Sequence, residues 1–449
     1  MKATIRVFSW SIIVALGGFL FGFDTAVISG AERQIQEIFS LTPFWHGFTI
    51  SSALIGTVIG ALVAGRPVDK YGRRPILFMV AVLYLISAVG CAFAPNVTWL
   101  IIFRILGGLG VGASSVVAPM YISEISPARM RGRMTALFQF NVIFGILMAY
   151  VSNYLLRDAG VEPWRWMLGV ETFPALAFFL LLFLIPESPR FLVKIGHENE
   201  ACTILQRIEV GDVACEIQKI KSSLQQRGKR EKLLQKCYSK PIILAFLVAM
   251  FNQLSGINAI LYYAPRIFEL TGLSSEDSLL QSVMIGATNA FFTMVGLLII
   301  DKVGRRKLLM IGSTGMAACL ALVARTYLVQ DFSGYQLLVF LLAYIMFFAF
   351  STGAVIWVLI AEVFPNSVRG QGQSLGSFTH WFFAAVITFL FPIVARYDTG
   401  AGYSFLFFAV MMIVQLVVVW RYFPETKGLT LEELGDKLSG ENKPAGKQD

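Results

Sequence analysis

The chain has 449 residues, 56% of them hydrophobic and 14% charged, with a net charge of +9 and a mean hydropathy of +0.68. Soluble domains carry roughly 25% charged residues, so a protein solvated mainly by water is excluded. The basic excess does not form a nucleic-acid surface, because its placement follows the ends of apolar stretches.

Lys2 and Arg6 precede the first apolar run as in a secretory signal. That run exceeds about 20 residues and Phe23-Asp24-Thr25 lacks a small-x-small cleavage pattern, so a retained first helix is expected. A helix needs roughly 20 apolar residues to cross about 30 Å of hydrocarbon, and twelve runs qualify. They lie at about 8–30, 47–68, 76–95, 98–120, 134–156, 167–186, 241–265, 279–301, 308–329, 335–361, 372–395 and 402–423. Residues 187–240 are rich in Lys, Arg, Glu and Gln and contain no run that could span. The expected organisation is an all-α membrane protein: a six-helix half at 1–186, a polar linker at 187–240, a six-helix half at 241–428 and a tail at 429–449.

With both termini placed in the cytoplasm, 30 of the 37 Lys and Arg lie at or beyond cytoplasmic helix ends. Arg33, Arg157, Arg165, Arg266, Arg325 and Arg396 fall elsewhere, and Arg104 lies inside the membrane. That asymmetry satisfies the positive-inside rule. Cys91 and Cys319 lie in spans and Cys202, Cys215 and Cys237 in the linker, at spacings of neither a zinc site nor a disulfide framework.

One charged signature occurs twice. Asp69 stands four residues before Arg73-Arg74 and Asp301 four before Arg305-Arg306. Glu124 lies seven before Arg131, Glu362 seven before Arg369, and Pro186-Glu187-Ser188 recurs as Pro424-Glu425-Thr426. The separations of 232, 238 and 238 residues mark a duplicated membrane half, the pattern of a transporter with two bundles around a central site. Within the loop, Gly72 permits a tight turn, and Asp69 can cap a helix or pair with an arginine. Each half thus owns a cytoplasmic charge network, either a latch for one conformation or a static staple. Exposed pairs contribute little one by one, so only the whole network could shift a conformational balance.

Charges inside the bilayer are costly and need a partner or a role. Asp24, in the first span, and Arg104, in the fourth, have opposite charge and share a half. They are either a static salt bridge or a proton switch, in which protonated Asp24 releases Arg104 and ionised Asp24 binds it again. A solute rich in hydroxyls would need amides, which donate and accept, and an aromatic plate for an apolar face. Among the amides of the spans, Gln139, Asn141, Asn252, Gln253, Asn258 and Asn289 stand out. Any one of them can instead serve an interhelical hydrogen bond. Gly256, between Gln253 and Asn258, allows the seventh helix to unwind locally and expose backbone to a cavity.

Taken together, Gly65–Arg74, Pro186-Glu187-Ser188-Pro189-Arg190, Gln253-Leu254-Ser255-Gly256-Ile257-Asn258 and Pro424-Glu425-Thr426-Lys427-Gly428 resemble the signatures of the sugar porter family of the major facilitator superfamily. The resemblance covers about residues 8–430 and is nearest in look to bacterial proton-coupled porters. It implies the two-bundle major facilitator fold, a cytoplasmic helical linker and alternating access around a midplane sugar site. It also implies that Asp24 carries the proton, with Arg104 its partner and Glu171 a third member of the cluster. By the same resemblance Gln139, Asn252, Gln253, Asn258 and Asn289 contact sugar, Trp357 packs under it, and Phe21, Tyr262 and Trp381 line an apolar wall. The resemblance further implies that Tyr263 belongs to the outer gate and that Arg190 joins the charge network.

Two positions depart from the family pattern. Asn252-Gln253 stands where a glutamine pair is usual, and His380 stands before Trp381 where an amide is usual. A neutral imidazole still donates one hydrogen bond and accepts another, so His380 is read as a sugar contact, with a second proton site or plain packing as alternatives.

The function expected is symport of a monosaccharide (hexose or pentose) with protons. One proton falling through 100 mV releases about 2.3 kcal/mol, enough for roughly a 50-fold sugar gradient. The rival is a facilitative uniporter with a structural Asp24–Arg104 pair. A sugar receptor is a rival of another class, but it usually adds a long signalling tail, whereas about 20 residues follow Gly428. No enzyme chemistry, cofactor or metal is expected, and no Gly-x4-Gly-Lys-Ser/Thr loop points to ATP. The expected setting is a monomer in a bacterial inner membrane, touching lipid, sugar and protons and no nucleic acid.

Overall fold

The computed structural model describes residues 2–427, apart from 128–129, 209–211, 227–232, 333–334, 366–367 and 398. The tail expected at 429–449, and Gly428, lie outside the described residues. Among those described, twelve helices are long and apolar enough to cross a membrane. They are α1 Thr4–Ile38, α2 Pro43–Val63, α3 Arg73–Ala92, α4 Val97–Ile125, α5 Arg131–Leu155 and α6 Pro163–Leu184, then α7 Lys236–Glu269, α8 Ser275–Val303, α9 Arg305–Val329, α10 Gln336–Glu362, α11 Arg369–Ala395 and α12 Gly400–Tyr422. No strand occurs among the described residues. In hydrocarbon every backbone N–H and C=O needs an internal partner, and a helix supplies it within one segment.

Local signals fix several helix starts. Thr42 accepts a hydrogen bond from the Trp45 N–H, and Pro43 occupies the first turn, so α2 begins earlier than the expected 47. Asn96 caps α4 through the Trp99 N–H. The stretch read as a tight loop before α3 contains a short helix, Gly65–Tyr71, ended by Gly72 at φ +100°. α1 runs to Ile38, beyond the expected 30, and carries Glu32, Arg33 and Glu37 in its last turns.

Three of the helices are interrupted. α7 breaks at Gly256, where φ is +83°, as expected from the sequence. A side chain there would collide with the Phe408 ring. α6 is divided at Val170-Glu171. α10 is divided at Ser351, a break with no proline or positive φ to announce it.

The chain forms two compact units. The first comprises Met1–Gly228, Ile260–Ala287 and Thr388–Ile393, and the second Lys229–Ala259, Thr288–Ile387 and Val394–Asp449. In the first unit α1 lies against α5 and α2 against α4 at backbone contact. A Cβ on Gly22 would overlap the Val142 carbonyl, and one on Gly108 the Ala53 carbonyl. Such small-residue seams are how helices associate when lipid removes the hydrophobic drive. Its core runs from Val14, Tyr84 and Phe178 to Leu192 and Ile204 of the linker helices Pro189–Lys194 and Glu198–Arg207. The second unit has its own core, including Val248, Leu308, Val355, Leu359 and Phe364. Large apolar side chains such as Leu62, Leu298, Ile413 and Val417 remain exposed, as a lipid-facing surface requires.

Candidate transport site

In the first unit, α1 and α4 bring Asp24 and Arg104 together as an enclosed pair, 4% and 1% exposed. Arg104 Nη1 donates to Asp24 Oδ1 at 2.8 Å and approaches the Asp24 carbonyl at 3.4 Å. Gly107 sits beside this pair because any side chain there would strike Ser87 of α3. Glu171, at the α6 break, is buried, and both Asp24 and Arg104 act on it electrostatically. Among the described residues, its Oε1 and the Nε and Nη2 of Arg104 have no hydrogen-bond partner. The cluster therefore holds two acids and one base, with hydrogen-bonding capacity unused on both sides. A buried ion pair of this kind contributes little net stability, but breaking it strands a charge. Such a pair is suited to changing state.

The second unit gathers most of the expected sugar groups. Gln253 Nε2 donates to Asn252 Oδ1 at 2.9 Å and stands 3.2 Å from both ring nitrogens of His380. The His380 ring lies 4.9 Å from that of Trp357 and 4.7 Å, edge-on, from that of Trp381. Gln253 Oε1 is buried without a partner among the described residues. Asn252 Nδ2 reaches the Thr352 carbonyl at 3.4 Å, beside the α10 break. The α7 break is anchored by Tyr344 of α10, whose hydroxyl donates to the Ser255 carbonyl at 2.9 Å. Asn258 and Asn289 are buried in the same unit. Gln139, Phe21 and Tyr262 belong to the first unit, the first two half-buried and Tyr262 buried. Asn141 Nδ2 donates to the Leu137 carbonyl one turn back, at 2.9 Å. Tyr263 is buried in the first unit, and its hydroxyl donates to the Thr388 carbonyl at 2.9 Å.

The repeated charges build matching networks, one inside each unit. Arg73 grips Glu124 with Nε and Nη2, both at 2.8 Å, and Ser188 Oγ donates to the same carboxylate at 2.5 Å. Glu187 accepts the backbone N–H groups of Arg73 at 3.0 Å and Arg74 at 3.1 Å, capping α3 from a distance in sequence. In the second unit Arg305 meets Glu362 and Asp301, each at 2.8 Å, and Thr426 Oγ1 donates to Glu362 at 2.6 Å. Glu425 accepts the N–H groups of Arg305 at 2.9 Å and Arg306 at 3.2 Å. At both corners a glycine is required by a left-handed φ, +100° at Gly72 and +96° at Gly304. At both, an added Cβ would also displace the capping carboxylate.

The glutamates take their arginines from the first residues of α3 and α9 and not from those of α5 and α11. Arg131 Nε donates instead to the Ser123 carbonyl at 3.0 Å, and Arg369 Nε to that of Phe364 at 3.4 Å. The Asp69 carbonyl accepts from Lys194 Nζ at 2.6 Å, and Arg190 lies in the first turn of the helix Pro189–Lys194. Burial pushes the Glu187 carboxyl up, against the pull of the Ser188, Arg73 and Arg74 N–H groups.

One cluster was not expected. Glu32 of α1, His46 of α2 and Arg266 of α7 meet at one carboxylate inside the first unit. The signal was available, since an acid in an otherwise apolar helix needs a partner, but residue 32 falls just past the expected end of the first span.

The chain matches the family model for sugar (and other) transporters over residues 10–438. It is 38% identical over 433 residues to the arabinose-proton symporter of Bacillus subtilis, covering 94% of this chain and 93% of that protein. It is 36% identical over 468 residues to the D-xylose-proton symporter of Escherichia coli, covering 95% of each. Among solved structures, the inward-open form of the xylose transporter XylE from E. coli superposes with a TM-score of 0.85 at 34% identity, covering 95% of this chain and 99% of that one. Twelve apolar helices and such relatives mark a multi-pass bacterial membrane protein. The chain belongs to the sugar transporter family, with the major facilitator fold, and is a transporter and not an enzyme.

Proposed function

We propose that this protein is a proton-coupled monosaccharide symporter working by alternating access. It would lie in the bacterial inner membrane with both termini in the cytoplasm, the side on which the basic loops are expected. The observation that carries this reading is the Asp24–Arg104 pair, enclosed at 2.8 Å beside Glu171 with its unpartnered oxygen. An ionised Asp24 holds α1 to α4. A proton removes that attraction and frees a guanidinium that already has idle donors, so proton binding and helix contact are coupled. The names of the relatives, sugar-proton symporters, support the same reading.

Asn252, Gln253, Asn258, Asn289 and His380 would hydrogen-bond the sugar hydroxyls, together with Gln139, and Trp357 would stack under the ring. Phe21, Tyr262 and Trp381 would complete the apolar wall, and the paired charge networks would hold one conformation.

Proteoliposomes loaded with buffer and given xylose, arabinose, glucose, galactose or inositol test the proposal. A transported sugar should alkalinise the external medium. Asp24→Asn should abolish that signal while leaving sugar counterflow intact. Sugar entry without proton movement in the wild type would make the protein a uniporter and the buried pair structural.

A further inference from the structure

Glu32 and His46 are 1% and 0% exposed, and His46 Nε2 lies 2.7 Å from Glu32 Oε2. The approach is too poorly aligned for a regular hydrogen bond, and Nδ1 has no partner among the described residues. Arg266 Nη1 reaches the same oxygen at 3.1 Å and also donates to Gln36 Oε1 at 2.6 Å. From α7 the Tyr263 ring meets the His46 ring at 6.0 Å, and its hydroxyl is committed to Thr388 of α11. Phe389 and Pro392 of α11 close on Gly47 next to it. Farther out, Arg33 bridges Glu37 at 2.9 Å and Glu269 at 2.8 Å. One carboxylate oxygen thus serves a fixed cation on α7 and an imidazole on α2, and imidazole is the side chain that changes charge nearest neutral pH.

We propose that His46 and Glu32 form a second proton-binding site, separate from Asp24, whose occupancy sets how tightly Arg266 tethers the second part of α7 to α1. With His46 neutral, Glu32 and Arg266 balance one negative charge with one positive. A proton on His46 places two cations on one oxygen of a carboxylate that is 1% exposed, where their mutual repulsion is poorly screened. Arg266 is the one that yields, because it is 27% exposed and can be rehydrated, whereas His46 is fully enclosed. Uncharged anchors persist on the preceding turn, where the Tyr150 hydroxyl donates to the Leu261 carbonyl at 2.7 Å. The loosening is therefore confined to the stretch beyond it, which already carries a kink at Tyr263 and Pro265 in its middle.

Hydrogen–deuterium exchange of residues 264–272 in the full-length protein in nanodiscs tests this, with rates corrected for the intrinsic effect of pH. In the wild type the corrected rates should rise roughly tenfold on acidification, an ordinary size for coupling between two sites. His46→Gln and Glu32→Gln should each flatten that response, and Asp24→Asn should keep it. Should His46→Gln not fold, Glu32→Gln alone decides. A pH-independent wild type, a variant at either position that follows the wild type, or a response lost with Asp24→Asn would overturn the proposal.

Discussion

Arg104 carries five N–H donors and uses one nitrogen, Nη1, on Asp24, while its Nε and Nη2 have no hydrogen-bond partner among the described residues. Removing one partner of an enclosed pair leaves an uncompensated charge, at about 3–5 kcal/mol, whereas removing both costs much less. Arg104→Gln should therefore lower the thermal midpoint of the detergent-solubilised protein far more than the Asp24→Asn/Arg104→Gln double variant does. Simple additivity in that cycle would show that the two side chains do not act as a unit. Asp24 and Arg104 were legible without a structure because charge in an apolar run cannot be incidental. Glu32, His46 and Arg266 were not. Each sits near a helix end, where a charge ordinarily meets water, and only packing shows that Glu32 and His46 do not.

At the scale of helices, the corner before α3 combines a left-handed glycine with a cap supplied from more than 100 residues away. Glu187→Ala should cost about 1–2 kcal/mol, the usual worth of a helix cap, while Glu187→Gln keeps an acceptor and should cost less. The sign of the pH dependence follows from burial, which raises the Glu187 carboxyl above its ordinary value. A raised group contributes stability in acid and loses it as pH climbs through the raised value. The deficit of Glu187→Gln relative to wild type should thus be larger near pH 5 than near pH 8 when melting is followed by intrinsic fluorescence. A deficit that grows with pH would contradict the burial argument. The repeat announced this corner in both halves, but the spacing paired Glu124 with Arg131. The fold paired it with Arg73, because Arg73 begins α3 beside the end of α4 and presents a bidentate fork there.

For the molecule as a whole, a symporter driven by one proton at 100 mV should concentrate its sugar up to roughly 50-fold in energised vesicles. A protonophore should reduce that ratio to unity without stopping equilibration. Persistent accumulation after collapse of the proton gradient would exclude proton coupling. The twelve spans, the duplication and the family were readable from the sequence alone. Hydrocarbon length, the cost of charge in lipid and repeated motif spacing act on the chain before any tertiary contact forms. The break at Gly256 was equally local, since it needs only a residue that tolerates a left-handed backbone. Tertiary structure alone decided the break at Ser351, the arginine each glutamate takes and the meeting of Glu32, His46 and Arg266. Those outcomes depend on which helices approach one another closely enough to share a buried polar group, a property of packing that periodicity along one chain does not encode.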